Sequence, residues 1–237
     1  MDQSLDILAS TTADWGIPLS EAQLAQFALY ADTLLQWNKH VNLTAITDYK
    51  GIMVRHFLDA LRCARSWGNA PYSLIDIGSG AGLPGLPLKL LWPSLELTLV
   101  ESVRKKAAFL QHMVDRLGLS AVTILTQRAE VVGRDPYHRE RYDVATARAV
   151  ATLNVLAEYC LPLLRLGGRF LAPKGADIAV EIDRARSAWT TLGGQLLAVE
   201  PVHLPDLEPR TLVIVEKIAP TPLRYPRGIG MPARRPL

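Results

Sequence analysis

From Ser73 onward the chain alternates short β-rich runs with amphipathic helical stretches, and this alternation restricts the fold more than any other feature of the sequence. The strand-like runs are SLIDI (73–77), LELTLV (95–100), AVTILT (121–126), YDVATA (142–147), GRFLA (168–172), QLLAVEP (195–201) and TLVIVEK (211–217). Helices are expected between most of them, the clearest carrying Val103, Ala107, Leu110, Val114 and Leu117 on one face. Strands separated by helical crossovers pair in parallel. Only residues 202–210 join the last two runs, too few for the dozen or more that a parallel crossover needs, so these two are expected to form an antiparallel hairpin.

The stretch before Pro71 reads differently. Leu24, Phe27, Ala28, Ala31, Leu34 and Leu35 recur at the spacing of one helix face, with Ser20 as N-cap and Glu21 beside it. A second helix is expected after Asp48, where Val54, Phe57, Leu58 and Leu61 form another apolar stripe. The expected organisation is therefore a helical extension over 1–66, an α/β domain over 67–218 and a basic tail over 219–237. At 237 residues, one large domain with appendages accounts for the length. Between Thr221 and Leu237 lie four arginines (Arg224, Arg227, Arg234 and Arg235), four prolines and no acid. The net charge of the whole chain is only +3, so everything before the tail sums to a slight negative charge. A Pro-rich, acid-free terminus suits nucleic acid, and on composition alone it equally suits a solvated end.

No apolar run approaches the ~18 residues of a membrane span, and the first residues are acidic where a targeting signal is basic, so a cytoplasmic location is expected. Cys63 and Cys160 lie outside any CxxC or His/Cys cluster, so neither a disulfide framework nor a metal site is expected.

The turn after the first strand reads LIDIGSGAGLPG (74–85). Glycines here permit positive φ and close approach of backbone to a ligand. Gly80, Gly82 and Gly85 also spell the G-x-G-x-x-G of dinucleotide folds, which leaves a nicotinamide oxidoreductase as an alternative. Charge separates the two readings. A pyrophosphate at a helix N-terminus is opposed by a nearby carboxylate such as Asp76, whereas the ammonium and sulfonium of S-adenosylmethionine are favoured by one. No Lys-Ser or Lys-Thr closes the loop, which excludes a nucleoside-triphosphate P-loop. Glu101, at the end of the second strand, stands where an acid accepts ribose hydroxyls, and Arg128-Ala129-Glu130 follows the third strand where an adenine edge can be met.

Seven strands with an antiparallel last one is the arrangement of the Rossmann-like, class I S-adenosylmethionine-dependent methyltransferases. Exocyclic-amine methylation commonly uses an acid, Asn or Ser followed by Pro-Pro and an aromatic after strand four, but VATARAVA (144–151) stands there. Pyrimidine C5 methylation needs a cysteine nucleophile, and both cysteines sit in apolar helical stretches. Guanine N7 already carries its lone pair, so positioning by arginines suffices.

The residues resemble the bacterial 16S rRNA guanine-N7 methyltransferase family, the glucose-inhibited division protein B family. The likeness rests on NLT (42–44), HFLD (56–59), DIGSGAGLPGLPL (76–88), VATARAVA (144–151), PKG (173–175), RTLV (210–213), YPR (225–227) and the closing RRPL. Ala60 departs from the serine common after the His-x-x-Asp pattern. The resemblance implies methyl transfer from S-adenosylmethionine to N7 of the guanine at position 527 of 16S rRNA, in the small ribosomal subunit, by a chain expected to act as a monomer. With Asp76 and Glu101, it assigns Gly78, Leu83, Ala129, Glu130 and Arg148 to the cofactor. Arg128 and Arg148 are expected to position the reacting groups, with no general base assigned. Asn42, His56, Lys174, Arg210 and the tail arginines Arg224, Arg227, Arg234 and Arg235 are expected to meet RNA. A non-catalytic RNA-binding or ribosome-assembly protein remains a further alternative.

Overall fold

A computed structural model describes residues 3–67 and 70–237. Residues 1, 2, 68 and 69, which fall in the expected helical extension and at the start of the expected α/β domain, lie outside the described residues. Helix α1 (Gln3–Asp14) and helix α2 (Glu21–Val41) come first. Ser20 closes a capping box with Gln23, each side chain accepting from the other's backbone N–H. Gln23 also donates to the carbonyls of Leu90 and Leu91, so this cap docks α2 as well as starting it. Ser20→Ala is expected to cost about 1 kcal/mol, measured as a lower midpoint of urea unfolding with unchanged slope.

Asp48 caps the second expected helix, which is not uniform: α3 (Tyr49–Gly51) widens into a π-helical stretch (Ile52–Leu58), regains α geometry in α4 (Asp59–Leu61) and tightens to 3-10 at Arg62–Trp67. Beyond it run β1 (Ser73–Ile77), α5 (Gly85–Leu91), β2 (Glu96–Val100), α6 (Arg104–Arg116), β3 (Val122–Leu125), α7 (Ala129–Val132) and β4 (Tyr142–Thr146). Then follow α8 (Leu153–Cys160), β5 (Leu164–Lys174), α9 (Ala179–Leu192), β6 (Gly194–Val202), β7 (Arg210–Lys217) and α10 (Met231–Arg234). The seven strands form one sheet in the order β3-β2-β1-β4-β5-β7-β6. β1 to β5 pair in parallel, and β7 is antiparallel to both neighbours, its pairing with β6 being the one that the short 202–210 connection requires. β5 starts four residues earlier than expected. The register shift between Tyr142 and Val144 absorbs the extra residues of β5 that include Gly167 and Gly168. Val103 is 47% exposed as the N-cap of α6, so the apolar face of that helix begins at Ala107.

Alternation along each strand sends side chains to two cores, one on each face of the sheet. Leu74, Leu97, Leu99, Leu171 and Ile214 pack under α1, α2, the 49–67 segment, α5 and α6, while Ile75, Ile77, Phe170, Val213 and Val215 pack under α8 and α9. The helical extension thus shares one core with the sheet. Its Tyr30 hydroxyl, fully buried, donates to the carbonyl of Ala81 in the glycine loop.

The tail is laid back onto the α7–α8 side. Arg139 donates to the carbonyls of Thr221 and Tyr225, Arg134 to that of Pro226, and Asn154 to that of Leu237. Pro226 seats against Gly133, where a Cβ would lie 2.9 Å from its ring. Among the described residues no helix is long and apolar enough to cross a membrane.

Candidate functional site

Two cavities open at the carboxyl ends of the central parallel strands, where ligands bind in open α/β sheets. One, of about 440 Å³, is lined by Thr44, His56, Gly78, Leu83, Glu101 and Arg148, among others. The second, of about 210 Å³, is lined by Gly78, Arg128, Ala129, Glu130, Tyr159 and Ala233, among others. Both include Gly78, Ser102 and Val150. Val150 lines both cavities and lies close against Gly78, where a Cβ would stand 2.6 Å from its Cγ2. Gly78 also holds φ at +68°, which glycine alone adopts without strain.

The loop is pinned by carboxylates from below and beside. Glu101 accepts from the backbone N–H of Gly80 (3.0 Å) and of Val103 (2.7 Å). Asp76 is wholly buried beneath the loop and lines neither cavity; its Oδ2 accepts the Gly85 N–H at 3.1 Å while Oδ1 has no partner. Burial pushes its carboxyl up to about 7, against the lowering influence of Gly85 and Arg148. The N–H that begins α5 is therefore already bonded to a carboxylate, which removes a donor that a dinucleotide's pyrophosphate would use.

Arg148, just beyond β4, is held from three sides. Its Nη1 donates to the Arg55 carbonyl (3.2 Å) and to Asp59 Oδ2 (3.0 Å), and its Nη2 to His56 Nδ1 (3.2 Å). His56 Nδ1 also lies 3.2 Å from the Arg55 carbonyl, and Nε2 lies 2.7 Å from Thr44 Oγ1, so both ring nitrogens are engaged. Of the five N–H groups an arginine carries, the Nε–H and one Nη2–H remain for the cavity. Burial, then the Arg148 charge, pushes His56 down to about 3, so the imidazole is neutral and orients Arg148. Because the unfolded chain takes up this proton near pH 6.5, the stability due to neutral His56 is complete above that pH and is lost as pH falls toward 3. Raised Asp76 acts oppositely, losing its contribution as pH rises from about 3.8 to about 7, so the two partly cancel in the wild type. The stability difference between wild type and His56→Gln is expected to shrink by roughly 2 to 3 kcal/mol between pH 6.5 and 4.5, at 1.36 kcal/mol per pH unit. Paired urea titrations at the two pH values measure it.

The remaining expected residues fall in four places. Lys174, past β5, donates to the Ala151 carbonyl (2.8 Å) and Glu181 (2.7 Å), tethering the segment that carries Arg148 and Val150. Arg210 stands 3.7 Å from Asp59 Oδ2, the oxygen that Arg148 also holds. Asn42 is exposed, with the left-handed conformation that ends α2, and does not line either cavity. In the tail, Arg224 is exposed over the Tyr225 ring and Arg234 and Arg235 are exposed, but Arg227 is taken by buried Glu158. Sequence reasoning did not single out Thr44 as a site residue, nor Lys106, Tyr159 or Ala233, all of which line the cavities. Asn38 is a further support, holding Thr44 through the backbone on both sides. Only Thr44 had a signal, its place in the NLT string. Among the described residues no three His, Cys, Asp or Glu side chains converge to hold a metal ion.

This strand order, with a glycine loop at the carboxyl end of β1 and an acid at that of β2, defines a Rossmann-like class I S-adenosylmethionine-dependent methyltransferase fold. Similar folds occur in M. jannaschii TYW2 in complex with AdoMet (TM-score 0.55, 16% identity, 73% of this chain and 80% of that one) and in the YcgJ protein from Bacillus subtilis (TM-score 0.52, 15% identity, 69% and 100%). Residues 23–211 match the family described as GidB, rRNA small subunit methyltransferase G. The chain is 64% identical over 233 residues to Ribosomal RNA small subunit methyltransferase G of Roseiflexus sp. (strain RS-1), covering 98% of this chain and 100% of that one. It is 58% identical to the protein of that name from Chloroflexus aggregans, covering 98% and 97%. The chain belongs to the rRNA small subunit methyltransferase G family.

Proposed function

We infer that the protein transfers a methyl group from S-adenosylmethionine to N7 of the guanine at position 527 of 16S rRNA, acting in the cytoplasm as a monomer on the small ribosomal subunit or its precursor. What chiefly supports this reading is the near full-length likeness to chains named for that subunit, with the glycine loop, Arg148 and His56 on one cavity. The cavities suit the cofactor. The smaller one offers the Arg128–Glu130 turn to an adenine, Glu101 lies beside the loop for the ribose, and Gly78 and Leu83 leave room for the amino-acid end. When bound, S-adenosylmethionine supplies an electrophilic methyl carbon.

The chain's own contribution is orientation. Guanine N7 loses no proton on attack, which agrees with a site whose imidazole is neutral and has both nitrogens hydrogen-bonded. The two remaining Arg148 N–H groups can fix the guanine O6. Asp59 offsets the Arg148 charge at 3.0 Å, so positive charge developing on the purine meets less repulsion than a lone guanidinium would exert. Arg128, exposed at the mouth of the smaller cavity, and Lys174, Arg210, Arg234 and Arg235 would meet phosphate or bases.

The test incubates purified protein and labelled S-adenosylmethionine with small subunits from cells lacking the gene, mapping new N7-methylguanine by its chemical lability. One modified guanine at position 527 is expected; cofactor binding without transfer to subunits, free rRNA or assembly intermediates would overturn the reading. For the tail, Arg234→Gln with Arg235→Gln is expected to lower the slope of log affinity against log salt by about 1.4 to 1.8 if both contact phosphate. An unchanged slope in filter binding would remove these two arginines from the interface.

A further inference from the structure

On the helical-extension side, away from the cofactor cavities, the 3-10 stretch Arg62–Trp67 meets the end of α1 and edge strand β6 around a third cavity of about 450 Å³. Its walls include Trp15, Arg62, Arg65, Glu200, Val202 and His203. Arg62 is only 6% exposed, and its Nη1 is closed from solvent without a hydrogen-bond partner. No carboxylate among the described residues forms an ion pair with it. The nearest candidate on the wall, Glu200, instead accepts from the Ser66 hydroxyl at 2.7 Å. A buried guanidinium does not escape its desolvation cost by losing a proton, so a site that keeps one unpaired calls for an anion. Asp59 and Glu200 act on Arg62 only through space, and Arg65 adds a second guanidinium to the wall. Arg65, exposed, lies over the Trp15 ring with its guanidinium carbon 5.6 Å from the centroid, and His203, also exposed, lines the same cavity. Neighbouring Arg169 is committed elsewhere, over Trp67 and donating to the Ser66 carbonyl, and so stiffens the wall.

We propose that this cavity is an anion site that takes a phosphate group, with Arg62 as its buried charge and Arg65 as its outer arm. Two sources supply that chemistry, a backbone phosphodiester of the RNA substrate or a free phosphate. Arginine forks match phosphate oxygens in both cases. The RNA source rests on the proposed function; the free-phosphate source does not.

The test uses the full chain, Arg62→Leu and, because Arg65 is exposed and tolerant, Arg65→Gln. Thermal unfolding is followed in inorganic phosphate and in chloride at equal ionic strength, and binding to 16S rRNA is followed against salt. The expected result is a phosphate-specific rise in the wild-type midpoint of a few degrees, lost in Arg62→Leu and reduced in Arg65→Gln, with Arg62→Leu itself more stable than wild type in chloride. A fall in the RNA salt slope of about 0.7 to 0.9 for each lost contact identifies the RNA backbone as a source, even if free phosphate gives no rise. A phosphate response with an unchanged slope identifies the free anion. If neither readout differs between wild type and the two variants, the proposal is overturned. A protein that fails to methylate subunits yet keeps the phosphate response loses the proposed function and retains this site.

Discussion

Gly78→Asp is expected to weaken S-adenosylmethionine binding by at least about 100-fold, a loss of roughly 2.7 kcal/mol or more. The position is shared by both cavities, so any side chain there stands where an adenosine would pass from one to the other. Backbone strain supplies little of the effect, because Asp tolerates φ of +68° better than most residues. Contact supplies most of it. A Cβ at 2.6 Å from Val150 Cγ2 forces a β-branched side chain with few rotamers to move, and the carboxylate then fills the passage. Gly80→Ala serves as the comparison. Alanine at its φ of +55° is strained more than Asp at +68°, yet its Cβ would meet nothing nearer than the Gly78 carbonyl at 3.7 Å, so its loss of affinity should still be much smaller. Isothermal titration with the cofactor, beside thermal unfolding of each variant, separates lost binding from lost fold. Wild-type affinity in a folded Gly78→Asp protein would move the cofactor out of these cavities.

The sheet was legible because its signals are local. Buried parallel strands read as near-continuous apolar runs, and a short connection excludes a crossover regardless of what surrounds it. The π-helical stretch at Ile52–Leu58 was not legible, since Val54, Phe57, Leu58 and Leu61 give one apolar stripe whether or not an extra residue widens the turn. That widening nevertheless falls on the segment carrying Arg55 and His56, both of which hold Arg148. Asp76 is the clearest case of a residue with an unforeseen placement. Its position before the first glycine predicted a carboxylate near the cofactor, but strand alternation sends the side chain beneath the loop, where it binds Gly85. Pairings between distant segments were the least legible of all. Composition shows a positive tail but not that Glu130, expected at an adenine, accepts the backbone N–H of Gly230, nor that Ala233 completes the wall beside it.

Arg227→Ala is expected to destabilise the protein by about 3 to 5 kcal/mol, the cost of leaving a buried charge without its partner. Glu158 is 0% exposed on α8, and Arg227 serves it three times, through its backbone N–H at 2.7 Å, its Nε at 2.9 Å and its Nη2 at 2.6 Å. Removing the side chain leaves one backbone donor for a carboxylate that needs several. The sign of the pair's own worth is a different question, because two ions were desolvated to make it. Glu158→Met combined with Arg227→Met is accordingly expected to recover most of the loss, as buried pairs replaced by apolar groups often do. A second consequence reaches the cofactor. The tail beyond Arg227 supplies Gly230 to Glu130 and Ala233 to the smaller cavity, so loosening it should weaken adenosine binding even where the sheet stays folded. Urea unfolding gives the stability terms of the double-mutant cycle, and cofactor titration well below each midpoint gives the binding term. A single variant within about 0.5 kcal/mol of wild type, the scatter of ordinary surface substitutions, would mean that the tail's remaining hydrogen bonds hold it in place and that the arginine is free to meet RNA.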